Sequence, residues 1–92
     1  MANFCISVYL VPSCYNRNYL ESVCRQRARV FRGRKYEFVW STHSLLAFLH
    51  CNGVCIGVID KGRISIYSQF KTLIPTESYL CSLIALFNLY PC

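Results

Sequence analysis

Two β-rich runs separated by a tight turn constrain this chain more than any other feature of it. Val54-Cys55-Ile56-Gly57-Val58-Ile59 is unbroken in apolarity, and Arg63-Ile64-Ser65-Ile66-Tyr67-Ser68 alternates. Between them, Asp60-Lys61-Gly62 carries the glycine that accepts the positive φ of a hairpin turn. Two strands joined this closely must pair antiparallel.

The remaining elements follow from periodicity. Residues 4–11 are rich in β-branched and aromatic types and nearly continuous in apolarity, which reads as a central strand buried on both faces. Pro12 ends it. Asn16 or Asn18 caps a helix predicted to run to about Arg32, with Tyr19, Leu20, Val23, Cys24, Val30 and Phe31 at helical spacing. Gly33 stops that helix. Residues 36–40 alternate as a second strand. Ser41 or Thr42 then caps a short helix through Leu45, Leu46, Phe48 and Leu49, ended by Asn52-Gly53. Pro75-Thr76-Glu77 opens a last helix packed through Tyr79, Leu80, Leu83, Ile84, Leu86 and Phe87. The predicted order is βαβαββα. A helical crossover between the first two strands implies a parallel, right-handed unit. The expected fold class is therefore α/β: one domain over residues 1–92, a mixed four-stranded sheet flanked by helices. Residues 4–11 are expected in its interior and residues 64–68 at an edge.

Ninety-two residues make one thin core, and an apolar content of 54% is ample to fill it. The seven cysteines are odd in number, and most lie inside apolar stretches. That argues against a secreted disulfide framework and for a reducing, cytoplasmic setting. The N-terminus has no basic n-region, and the longest C-terminal apolar stretch, interrupted by Ser82 and Asn88, is too short to span a bilayer. High Cys and Tyr content is the composition expected of a rapidly evolving or viral protein.

Cys14 carries the sharpest chemical signal. It lies where a strand is predicted to turn into a helix, and unpaired helix N-terminal N–H groups favour negative charge there. Arg17 adds a positive charge three residues on. This suits thiol chemistry or anion binding; the alternative is a buried cysteine that packs as a small apolar group.

Val11-Pro12-Ser13-Cys14-Tyr15-Asn16-Arg17, the predicted element order, and the run from Gly53 to Ile64 together resemble the glutaredoxin branch of the thioredoxin fold. The resemblance implies a thioredoxin-like sheet and thiol-disulfide redox activity. Cys14 would be the nucleophile, Arg17 its stabilising cation, and Pro12, Tyr15, Val54 and Cys55 the substrate-binding residues. Glutathione or a protein thiol would be the partner. Arg17 stands where the family has a second cysteine, so any activity would be monothiol. Cys55 stands at the position resembling the family's cis-proline, which would bring it near Cys14. Cys14 is then expected to be the most reactive of the seven thiols.

A different class of function follows from charge. Ten Lys and Arg face four Asp and Glu, and seven of the ten fall between Arg17 and Lys35. Arg25, Arg29 and Arg32 are expected on one exposed helical face, with Arg34 and Lys35 just beyond. Such a face would bind RNA or a host protein, as in a small basic accessory protein, or serve only to keep the chain soluble. His43, His50, Cys51 and Cys55 lack the two close pairs of a structural zinc site, so no metal is expected. Tyr15, Tyr19, Tyr36 and Trp40 lie near the basic segment and would accompany it in binding nucleic acid; the simpler reading of Phe38, Trp40, Phe48 and Phe87 is core.

Overall fold

The computed structural model describes residues 3–92, so the first two residues of the predicted domain lie outside it. Six strands form one sheet: β1 (Phe4–Tyr9), β2 (Arg29–Phe31), β3 (Arg34–Trp40), β4 (Ala47–Cys51), β5 (Val54–Asp60) and β6 (Arg63–Tyr67). Two helices complete it, α1 (Arg17–Cys24) and α2 (Glu77–Ala85). The spatial order is β1-β6-β5-β4-β3-β2, and every pairing is antiparallel. The predicted thioredoxin-like βαβαββα fold with a mixed sheet is therefore corrected: β2 to β6 form an antiparallel meander, and β1 joins it beside β6.

Three of the meander's four connections are two-residue turns, and the fourth is the loop from Ser41 to Leu46. Arg32-Gly33, Asn52-Gly53 and Lys61-Gly62 each place both residues at positive φ. That is the pattern of type I′ turns, whose twist matches that of paired strands. Only the third was expected as a hairpin. At the first, Phe31 pairs with Arg34, and the predicted long helix stops early at Cys24. At the second, Cys51 pairs with Val54, and the predicted helix through Leu45 and Leu49 is instead a loop followed by β4. Leu- and Ala-rich propensity yields there to pairing with strands on both sides.

The edge assignments are also reversed. β1 lies at the sheet edge, paired only with β6, while β6 is interior. Leu10 bridges Pro91 beyond the end of β1, and the Cys92 N–H donates to the Tyr9 carbonyl at 2.7 Å.

Residues directly paired across strands share a sheet face. One face carries Val8, Ile64, Ile66, Ile59, Leu49, Ala47, Cys51, Tyr36 and Phe38, all in the core with Leu20 and Val23 of α1 and Leu80, Leu83 and Ile84 of α2. Phe38 meets Phe87 edge-on at 4.9 Å, and Phe31 meets Tyr79 at 5.0 Å. Both helices thus cover the same face. No helix among the described residues is long and apolar enough to cross a membrane.

Candidate binding cleft

The predicted active-site turn is a 3-10 turn over Pro12–Tyr15, not the start of an α-helix. Cys14 within it is 1% exposed and belongs to the core. The first turn of α1 is capped elsewhere: Asn16 Oδ1 accepts from the N–H groups of Asn18 at 2.7 Å and Tyr19 at 3.3 Å. The N–H groups meant to favour charge on sulfur are therefore engaged by an asparagine amide. The Tyr19 hydroxyl donates to the Asn88 carbonyl, and burial, then the neighbouring Cys14, push its pKa up. Arg17 does not reach for sulfur; its Nε donates to Glu21 at 3.1 Å.

The predicted substrate-binding set divides. Pro12 and Tyr15 sit with Cys14, and the Tyr15 ring packs on Gly62 at the β5–β6 turn. Val54 and Cys55 begin β5, so five residues of strand, about 17 Å, separate Cys55 from the Asp60 end. A disulfide needs Cα atoms within about 7 Å, so Cys14 and Cys55 do not meet. Burial raises the Cys55 pKa. All seven cysteines are free, and among the described residues no three of His, Cys, Asp and Glu gather.

The basic residues do not share a helical face either. Arg25 follows α1. Arg29 lies in β2, donating to the Arg27 carbonyl at 3.0 Å and to Gln26 at 3.3 Å, with its guanidinium 6.0 Å from the Phe87 ring centre. Arg32 sits in the β2–β3 turn, over the rings of Phe31 and Tyr79. Arg34 donates to the Leu73 carbonyl at 3.4 Å. Lys35 falls on the sheet face away from the helices, by its pairing with Val30.

What the fold assembles instead is a cleft at one end of the sheet. α1 forms one wall, the loop from Ser41 to Leu46 the other, and the Lys61-Gly62 turn closes one side. A hollow of about 660 Å³ is lined by Tyr15, Arg17, Leu20, Trp40, Leu45 and Ile59, among others. A second, of about 550 Å³, runs along α1 past Glu21, Cys24 and Arg25, over Phe38 and Trp40. Arg17 and Trp40 line both, so the two form one groove.

Its floor is apolar and its rim mainly cationic. Arg17 and Arg25 both approach Glu21, at 3.1 and 3.7 Å, and neutralise it. Lys61 and Asp60 face them across the hollow. Cys24 on the groove wall has its thiol pushed up to about 11 by burial and by the Glu21 charge, so it sits there protonated. Of the groove's residues, Tyr15 and Arg17 are sequence candidates for thiol chemistry, Arg25 for polyanion binding and Trp40 as either a neighbouring stacking aromatic or core, whereas Leu45 and Lys61 carry no such signal. Trp40, the lone tryptophan, ends β3 just before the polar run Ser41-Thr42-His43-Ser44.

Comparison with protein-family models, curated proteins and solved structures finds no match to this chain.

Proposed function

We propose that this chain is a binding module for single-stranded nucleic acid, with the groove beside α1 as its site. A base stacks on Trp40, with Tyr15 close by, and the sugar-phosphate backbone follows Arg17 and Arg25. The observation that carries this reading is the junction of the two hollows at Trp40, beneath a rim with three cations, Arg17, Arg25 and Lys61. Stacking on aromatics and a cationic track are the two parts that sequence-tolerant strand binding requires.

The lone tryptophan supplies a direct test. An unstructured oligoribonucleotide should quench Trp40 fluorescence in a saturable, salt-dependent manner. An unchanged spectrum through the titration would overturn the reading. A second reading rests on a separate feature. β2 pairs with Arg34 to Tyr36, so among the described residues no strand lies beside the outer edge of β3 from Phe38 to Trp40, which borders the groove. An extended acidic peptide added to that edge would use the same arginines. Quenching by an acidic peptide and not by RNA favours that second reading.

A further inference from the structure

We propose that Arg34, Tyr36 and Tyr79 form a buried site for a single small anion, a halide such as chloride. The site lies at the start of β3, at the opposite end of that strand from Trp40 and the groove. Arg34 and Tyr36 are two residues apart in β3, so they share the face that the helices cover. Phe31 pairs with Arg34 across the β2–β3 turn, and its ring meets Tyr79 edge-on at 5.0 Å, which brings α2 over the same spot. The Arg34 guanidinium donates to the Leu73 carbonyl at 3.4 Å, just before that helix. Arg32 adds a second guanidinium, 5.3 Å from the centre of the Tyr79 ring.

Hydrogen bonding calls for an acceptor from outside the chain. The hydroxyl oxygens of Tyr36 and Tyr79 are both shut off from solvent, and neither has a hydrogen-bond partner. Tyr36 as a whole is 0% exposed. Buried hydroxyls are ordinarily paired, because leaving one unmet costs free energy. The neighbourhood cannot supply the pairing. The two hydroxyls and the Arg34 guanidinium lie beside one another, and all three bring protons to donate. The Leu73 carbonyl is already engaged by Arg34. Cys51, opposite Tyr36 across β3 and β4, offers a thiol, a weak partner in either sense. If one hydroxyl donates to the other, the last in the chain still has no acceptor.

Charge makes that acceptor an anion. Among the described residues both ion pairs belong to Glu21, so neither Arg34 nor Arg32 has a carboxylate partner. The chain has only four acidic residues, and none answers these arginines. Glu21 and Asp60 line the groove. Glu37 alternates with the core residues Tyr36 and Phe38 and so takes the other sheet face. Glu77 opens α2 in an exposed position and lies within ion-pair distance of neither arginine. A water would meet the hydroxyls but leave the guanidinium charge unanswered. An anion accepts from all three donors in charge-assisted bonds. It must be small: both hydroxyl oxygens are closed to solvent, so a phosphate or a carboxylate-bearing partner would not reach them together, whereas a monatomic ion would.

The test is melting temperature as sodium chloride replaces sodium gluconate at constant ionic strength, so that screening of the net charge stays fixed. Wild type should gain stability with the logarithm of chloride concentration, as expected of a ligand held only by the folded chain. Tyr79→Phe changes no charge and shares every non-specific difference between the two salts. It should weaken chloride affinity about tenfold. Tyr36→Phe should match or exceed wild type in gluconate and fall below it in chloride. Arg34→Gln should remove the chloride dependence. A crystal soaked in bromide should give an anomalous peak between Arg34, Tyr36 and Tyr79, and this reading stands even if a variant fails to fold. Equal chloride dependence in wild type and both tyrosine variants overturns the proposal. So does a bromide-soaked crystal with a water, and no anomalous peak, among the three residues.

Discussion

Tyr36 shows how far a single side chain can set the pH range of this fold. It is fully buried, and its hydroxyl lies beside Tyr79 and the Arg34 guanidinium without a well-aligned hydrogen bond. Burial, then Tyr79 and Cys51, raise its pKa, and Arg34 only partly opposes them. The folded chain therefore holds this proton where the unfolded chain releases it. Stability from this group is complete below the ordinary tyrosine pKa of about 10 and is lost as pH rises beyond it. Melting temperature should fall steeply above that pH, and Tyr36→Phe should flatten the fall. At neutral pH the same substitution should be near neutral or stabilising, because it removes a buried hydroxyl that lacks a partner. A curve for Tyr36→Phe that tracks wild type through the alkaline range would contradict this account. Cys14 gives a second residue-scale expectation. Its sulfur is shielded, whereas Cys5 and Cys92 are exposed. Alkylation with peptide mapping should label Cys5 and Cys92 first and Cys14 only as the chain opens. Cys14 labelled first would return the thiol to the centre of any functional account.

Turns and caps hold the elements in place, and they explain which parts of this fold could be read in advance. At Gly62 any Cβ would overlap the Tyr15 ring, and its positive φ already disfavours other residues. Gly62→Ala should both destabilise the hairpin and push Tyr15 out of the groove, so stability and ligand affinity should fall together. Retained affinity in a destabilised protein would remove Tyr15 from the site. At the other end of the groove wall, Asn16→Ala removes the cap of α1 and should cost about 1 kcal/mol, read by denaturant midpoint. The hairpin at Lys61-Gly62 and the helix opening at Thr76 were legible because local chemistry and tertiary context agree there: Thr76 Oγ1 accepts from the Tyr79 N–H as a cap should. Arg32-Gly33 and Asn52-Gly53 were not, because a left-handed glycine serves equally to end a helix and to turn a hairpin. Val30 and Phe31 fit helical spacing from Leu20 and also fit a short strand. Only the cross-strand partners decide, and those lie outside any local window. The continuous apolarity of β1 was read as burial inside a sheet; its actual meaning is two apolar faces on an edge strand.

At the scale of the whole molecule, the positive charge is the property that sequence reports and only structure apportions. The net charge is +6, and most of the basic residues fall between Arg17 and Lys35. A long helix would have presented Arg25, Arg29 and Arg32 together. The observed fold sends them to three places with three roles. Arg29 is engaged with Gln26, the Arg27 carbonyl and the Phe87 ring, so it supports packing. Arg32 lies over Phe31 and Tyr79 at the far turn. Only Arg25, with its side chain 81% exposed, shares the groove with Arg17. The salt dependence of RNA binding should separate these roles. Each cation withdrawn from the phosphates of a single strand lowers the slope of log affinity against log salt by about 0.7. Arg17→Gln and Arg25→Gln should each lower it by about that much and leave folding intact. Arg29→Gln should leave the slope unchanged while lowering the melting temperature. Trp40→Ala should reverse the pattern again, costing about 1–3 kcal/mol of affinity at every salt concentration with no change in slope, because stacking releases no counterions. Equal slopes for wild type, Arg17→Gln and Arg25→Gln would place the nucleic acid elsewhere. A lowered slope for Arg29→Gln or Arg32→Gln alone would move it to the β2–β3 hairpin.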